Sequence, residues 1–268
     1  MKKDQLGDRM KNRYEDRTRM SLPRRTYTII RVDGKAFHTF TKNFDRPFDK
    51  DLMFAMDLVA VTMCEEIQGA RFAYVQSDEI SILLTDFENP NTDAWFDGNI
   101  QKITSVSASI ATAKFNDIVL DKFLNEKNKK FYQMDLALFD SRVFTIPDPV
   151  EVENYFIWRQ QDASRNSIQM AARAIYSHKE CENKNTSELQ DMLMIHEKKI
   201  NWNNYSAREK RGGLVYKKST GATFDTSPPT KEEAWIADGA PIFTQQREVL
   251  GTLIPKIGAT SEKEKKEI

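Results

Sequence analysis

The 268 residues carry 40 Lys and Arg against 40 Asp and Glu, a formal charge of zero. This excludes a protein held to nucleic acid by bulk charge, so any RNA contact has to come from local patches. Hydrophobic residues at 40% and aromatics at 10% suffice for a packed core and exclude a disordered chain, and no apolar run approaches a membrane span.

Residues 1 to 25 place Arg9, Lys11, Arg13, Arg17, Arg19, Arg24 and Arg25 among scattered acids, and predict helical stretches broken at Pro23. The segment is either a solvated arm or, at Arg24 and Arg25, a phosphate-facing pair. Tyr27 to Val32 is a β-branched, apolar run that ends in Asp33-Gly34. It predicts a strand with Asp33 at its C-terminal edge, where Gly34 frees the backbone to turn. The amides of Gly34, Lys35, Ala36, Phe37 and His38 would then line a concavity suited to phosphate oxygens, although Asp-Gly after a strand also marks an ordinary turn. Asp49 is a predicted N-cap for a helix to about Gln68, with Leu52, Met56, Val59, Met63 and Ile67 facing a core. Tyr74 to Leu84 reads as a hairpin, two short apolar strands presenting the carboxylates of Gln76-Ser77-Asp78-Glu79 at its tip.

A helix is predicted from Asp93 to Phe115, with Ile100, Ile103, Val106 and Ile110 inward and small residues allowing close approach to a sheet. Lys102 on its other face is either solvated or within reach of phosphate. Asn125 to Lys130 reads as an exposed connection and Phe139 to Thr145 as another strand. Asp140 could supply a third metal carboxylate, but a structural role is preferred. From Glu151 to about His178 the pattern is helical, with Tyr155, Trp158, Ala163, Ile168, Ala172 and Ile175 apolar and Arg159, Asp162, Asn166 and Arg173 on one polar face. Lys210-Arg211-Gly212-Gly213 reads as a basic turn entering a strand, Ser219 to Pro229 as a surface loop and Ser261 to Ile268 as a charged tail. Cys64 and Cys181 have neither metal-site nor disulfide-framework spacing, and the N-terminal segment lacks an apolar signal core. Reduced thiols in a soluble, cytoplasmic protein are expected.

The order strand, helix, strand, strand is that of a split βαβ unit. The expected fold is α+β, a polymerase-palm-like (ferredoxin-like) antiparallel sheet with flanking helices and a C-terminal extension. Residues 1–150 would form the catalytic core with its N-terminal arm, and 151–268 an extension packed on it as one continuous domain. Acidic residues brought together from two neighbouring strands, here Asp33 and the hairpin-tip carboxylates, can hold a pair of divalent ions such as Mg²⁺ beside substrate phosphates.

R-V-D-G-K-A-F-H (31–38), Q-S-D-E (76–79) and W-R-Q-Q-D-A-S-R-N-S (158–167) together resemble the tRNA(His) guanylyltransferase family, over roughly residues 5 to 220. The resemblance implies a reverse, 3′→5′ nucleotidyltransferase acting on tRNA with GTP, ATP and other NTPs, assembled as a homotetramer. It implies Asp33, Asp78 and the Gly34 carbonyl as ligands of two Mg²⁺ ions, with Glu79 supporting the site from its rim. Gly34 to His38 and Ser77 would cradle the triphosphate with Arg46, while Arg159, Asn166, Lys210 and Arg211 would face tRNA. Family members specific for tRNA(His) carry H-I-N-N-L-Y-N after the W-R-Q block, whereas this chain has Ser164-Arg165-Asn166-Ser167-Ile168-Gln169-Met170. That departure implies the guanylyltransferase-like branch, which refills 5′-truncated tRNAs against the opposite strand. The alternatives are a strict tRNA(His) G−1 enzyme, a palm-type nucleotidyltransferase or cyclase acting on NTP alone, and a silent tRNA-binding protein. Crowded carboxylates argue against the last, since they repel one another without a cation.

Overall fold

The computed structural model describes residues 4–126, 136–222 and 231–257. In chain order, α1 (Gln5–Arg13) is followed by β1 (Tyr27–Gly34), a one-turn α2 (Phe37–Phe40), α3 (Lys50–Glu66), β2 (Ala70–Gln76), β3 (Glu79–Leu84), α4 (Ile100–Glu126) and β4 (Phe139–Ile146). Then come α5 (Pro149–Arg173), α6 (His178–Cys181), α7 (Thr186–Ile195), α8 (Ala207–Arg211), β5 (Gly213–Ala222), β6 (Lys231–Gly239) and α9 (Arg247–Leu253). Among the described residues the strands form one six-stranded antiparallel sheet, ordered β4-β1-β3-β2-β5-β6, giving an α+β fold with β1 and β3 inside.

The pleat sorts each strand's residues onto two faces. Ile30, Val32, Ile80, Ile82, Ala73 and Val75 pack behind the sheet against Met56, Val59 and Met63 of α3 and Ile103, Ala111 and Phe115 of α4. Each of the Val, Ile, Met and Phe side chains contributes about 1.5–3 kcal/mol by leaving water. In front, Ile29, Leu83, Phe72 and Tyr74 pack against Tyr155 and Phe156 of α5 and Leu250 of α9. Asp49 caps α3 as predicted, its carboxylate accepting from Leu52 N at 2.9 Å.

Several boundaries differ from the sequence expectation. α4 starts at Ile100 rather than Asp93, because Phe96 and Asp97 take positive φ (51° and 53°) inside a one-turn 3₁₀ segment and interrupt the helix. It then continues through Asn125 and Glu126, which were expected in a loop; residues 127–130 of that connection lie outside the described residues. Its buried stripe is Ile103, Ser107, Ala111, Phe115 and Ile118, while Ile100, Val106 and Ile110 are only half-buried. The small side chains do permit close approach, for Ser107 Oγ donates to Ser141 Oγ of β4 at 2.7 Å.

α5 ends at Arg173, not near His178, because Ser177 and Glu180 form a capping box that starts α6. Trp158, one of the apolar positions of the helix, is 47% exposed. The basic turn is the end of α8, closed by Gly212 at φ 79°, where a Cβ would sit 2.4 Å from the Val75 carbonyl oxygen. Residues 219–222 belong to β5, and 223–229 of the expected loop and the 261–268 tail lie outside the described residues. Arg24 does not wait for phosphate: Nε meets Asp86 at 2.7 Å, and Asp93 and Asp97 lie within 3.7 Å of its other nitrogens. Cys64 and Cys181 are free and buried. No helix among the described residues is long and apolar enough to cross a membrane.

Candidate active site

The β-branched run of β1 delivers Asp33 to the top of the sheet, and antiparallel pairing sets Asp33 opposite Glu79 of β3 and Asp140 of β4. Directly opposed residues share a face, so these three carboxylates form a row across the sheet. Asp78 stands in the two-residue turn between β2 and β3, and its carbonyl accepts from Gly34 N at 3.1 Å. That bond ties the end of β1 to the hairpin turn that carries Asp78. After Gly34 the chain folds back over its own Phe37 ring, which would lie 2.3 Å from a Cβ at position 34. Phe37 is locked there by Phe40, Phe115 and Phe139, with ring centroids 5.0–5.4 Å apart.

Burial raises the Asp33 carboxyl above the usual carboxylate range; Glu79 and Asp140 add to this, and Arg142 and Arg31 oppose it. Burial also pushes Asp78 up to about 6, with Asp33 and Glu79 contributing against hydrogen bonds from its own amide and from Ser77. Half-buried aspartates raised by burial and by neighbouring carboxylates fit a divalent cation, which favours the ionised form of both. Among the described residues no three His, Cys, Asp or Glu side chains gather as a metal group. A cation here would therefore be completed by backbone, water or substrate oxygens, the hard ligand set that suits Mg²⁺.

Two clefts flank these groups. One, of about 520 Å³, is walled by Gly34, Ala36, Phe37, His38, Arg46 and Asp78 among others. The other, of about 410 Å³, contains Asp33, Asp78, Glu79, Arg159 and Asn166. Ser77, Asp78, Met170 and Arg173 line both. The expected phosphate cradle is narrower than five amides. Gly34 N is bonded to the Asp78 carbonyl and Lys35 N to the Leu138 carbonyl at 2.8 Å, and Lys35 lines neither cleft. Among the described residues the amides of Ala36, Phe37 and His38 carry no backbone bond, Ala36 takes a left-handed φ of 53°, and all three residues line the larger cleft.

Arg159 and Gln160 of the W-R-Q block face inward while Trp158 is exposed, so the structure buries Arg159 rather than offering it to RNA. Arg159 is only 6% exposed and grips Glu79 through two bonds, Nε to Oε1 at 2.8 Å and Nη2 to Oε2 at 2.9 Å. It also bonds Asp162 at 2.9 Å and stacks 4.3 Å from the Trp158 ring centroid. Gln160 donates to the Pro241 carbonyl at 2.6 Å and accepts from Phe243 N at 2.9 Å. Glu79 is thus a buried, paired carboxylate rather than an open group on the rim. Asn166 is exposed on the cleft wall. Lys210 and Arg211 line neither cleft: Lys210 Nζ donates to the Asn203 carbonyl at 2.6 Å beside the Trp202 ring, and Arg211 Nε reaches the Ala240 carbonyl at 3.4 Å. Sequence reasoning missed Arg142, 3.1 Å from Asp140 and 4.0 Å from Asp33, whose only signal is its place two residues after Asp140 on a strand.

The family model described as Thg1, tRNAHis guanylyltransferase, matches residues 7–147. A bacterial tRNA(His) guanylyltransferase (Thg1)-like protein solved in complex with ATP superposes with a TM-score of 0.80 at 42% identity, covering 93% of this chain and 99% of that one. A structure of such a bacterial protein with GTP gives 0.77 at 40% identity, covering 94% and 100%. The tRNA(His) guanylyltransferase of Debaryomyces hansenii is 28% identical over 206 residues, 71% of this chain and 73% of that protein. The chain therefore belongs to the tRNAHis guanylyltransferase family and is a nucleotidyltransferase of its Thg1-like kind.

Proposed function

We propose that the protein adds nucleotides in the 3′→5′ direction to the 5′ end of tRNA, using the opposite strand as template, and so repairs truncated 5′ ends. The observation that carries this is the placement of Asp78 on the wall shared by two clefts, with Asp33 beside it in the smaller one and the amides of Ala36 to His38, without backbone bonds among the described residues, along the larger one. ATP and GTP complexes of the similar bacterial proteins support an NTP in the larger cleft, with Ala36, Phe37, His38, Ser77 and Arg46 about its phosphates. Lys35 would contribute through its side chain alone. Asp33, Asp78 and the Gly34 carbonyl would hold two Mg²⁺ ions, which supply charge neutralisation for the attacking and leaving oxygens. The chain's own residues orient the rest: the Ala36–His38 turn fixes the triphosphate, and Glu79, braced by Arg159, fixes the wall beside Asp78. A 5′-monophosphate end is first activated by an NTP with loss of pyrophosphate. The 3′-hydroxyl of the incoming NTP then attacks that 5′-phosphate and the nucleoside monophosphate leaves, or pyrophosphate leaves when the end is triphosphorylated.

The β4-β1-β3-β2 part of the sheet has the ferredoxin-like order on which polymerase palms are built, which suits this chemistry. Residues 1–150 supply the acid pair. The 151–268 segment adds α5 over the cleft and β5 against β2, so we take the two as one working unit in which Asn166, Lys210 and Arg211 extend toward tRNA. A cytoplasmic homotetramer completes the proposal. The test uses α-radiolabelled NTP: label should enter truncated tRNA only when Mg²⁺ is present. Label recovered instead in a cyclic nucleotide, with tRNA making no difference, would favour a cyclase.

A further inference from the structure

Arg173 closes α5 and is the cation whose side chain lines both clefts. It is exposed, and among the described residues no hydrogen bond or ion pair engages its guanidinium. The other arginines near the carboxylates are committed: Arg159 to Glu79 and Asp162, and Arg142 to Asp140. Favourable interaction with the helix dipole accounts for an arginine in a last turn. It does not account for this one lining both clefts, as Asp78 does. The smaller cleft carries four carboxylates, Asp33, Asp78, Glu79 and Asp162, against the paired Arg159. A phosphate-bearing chain entering it meets a negative wall, and among the described lining residues Arg173 is the uncommitted counter-charge. The planar fork of an arginine matches two phosphate oxygens at once.

We propose that Arg173 contacts substrate directly and holds a phosphate group at the point where both substrates converge on Asp78. The phosphate comes either from the NTP or from the 5′ end of the RNA; only the second source rests on the function proposed above.

Binding without turnover separates the two. Arg173→Gln and Arg173→Lys are titrated with ATP and with adenosine, and separately with an acceptor-stem RNA bearing a 5′-phosphate or a 5′-hydroxyl, all in Mg²⁺. Arg173→Gln should weaken at least one phosphate-bearing ligand by about tenfold or more and leave its phosphate-free counterpart within about twofold. Arg173→Lys, which keeps the charge and loses the fork, should fall between. The arm that moves names the source. Both variants should melt with the wild type, because the side chain is exposed and unpaired. Unchanged affinity for both phosphate ligands, or an equal loss for adenosine and 5′-hydroxyl RNA, would overturn the assignment. A wild-type protein that extends no tRNA would sink the proposed function, yet the ATP arm would still decide Arg173.

Discussion

The two faces of the sheet are made of the same strands and do different work. Behind it, alternate residues of β1, β2 and β3 are Ile30, Val32, Ala73, Val75, Ile80 and Ile82, all fully buried beneath α3 and α4. In front, the intervening residues begin apolar, with Ile29, Phe72 and Leu83, and become polar toward the top: Arg31 and Asp33, Ser81 and Glu79, then Gln76. The front also retains buried atoms without a hydrogen-bond partner, Arg31 Nε and Gln76 Oε1, whereas the back carries none of the three such atoms among the described residues on its sheet strands. Stability is concentrated behind, and charge is held in front at some cost to stability.

The largest effect should come from the top of the front face. Asp33→Ala and Asp78→Ala should each lower nucleotide addition by about a thousandfold or more while circular dichroism and melting stay native-like, since several kcal/mol of charge stabilisation vanish with the cation site. Near-wild-type turnover of either variant in saturating Mg²⁺ would remove that residue from the site. A matched pair of changes sets the faces against each other. Arg159→Ala strands a buried Glu79 and should cost about 3–5 kcal/mol in urea unfolding together with activity. Ile82→Ala opens a cavity behind the sheet and should cost about 2–5 kcal/mol with kcat near normal in the folded fraction. If Arg159→Ala unfolds like wild type, the front-face pair is not the brace described above.

What could be read from sequence follows the range of the signal. Asp33 at a strand edge, Asp78 in a tight turn and the Asp49 cap were legible because runs, turns and caps are local. The direction of Glu79 was not, since a hairpin tip does not say which side of the pleat its last carboxylate takes. Its partner Arg159 lies 80 residues away, and a polar stripe on a helix looks alike whether it faces water or a buried carboxylate. The break before α4 was hidden because Phe96 and Asp97 adopt a left-handed backbone that their side chains do not announce. β6 was missed because β5 reads as a strand entering a polar loop, and only its pairing from Gly213↔Gly239 onward shows where the chain returns.

Two smaller effects sharpen the comparison. Asp78, raised to about 6, keeps a proton in the folded, metal-free protein that the unfolded chain releases near pH 4. Stability without metal should therefore fall as pH rises from about 4 to about 6 and stay low above that. Asp78→Asn should flatten this slope to the part that Asp33 contributes and stabilise the chelator-treated protein near neutral pH by about 1–2 kcal/mol. Identical slopes in both proteins would place the strain elsewhere. Smaller again, Lys210→Ala with Arg211→Ala should weaken tRNA binding and flatten its dependence on salt by about one to two counterions. An unchanged slope would leave both residues to the contacts they already make with Asn203 and Ala240.

The central claim, templated repair of the 5′ end, is tested most directly with tRNA lacking its first nucleotide, offered one NTP at a time while the opposing acceptor-strand base and the anticodon are changed independently. Ser164 is too short to stack on or span to a base as a histidine would, so choice should fall to pairing geometry at the end itself, where small misplacements of the 3′-hydroxyl are costly to rate. Changing the opposing base should switch the NTP incorporated, and changing the anticodon should alter kcat/KM by less than about tenfold. Addition of GTP whatever base stands opposite, or silence on anticodon substitution alone, would contradict the account and make the protein a strict tRNA(His) enzyme.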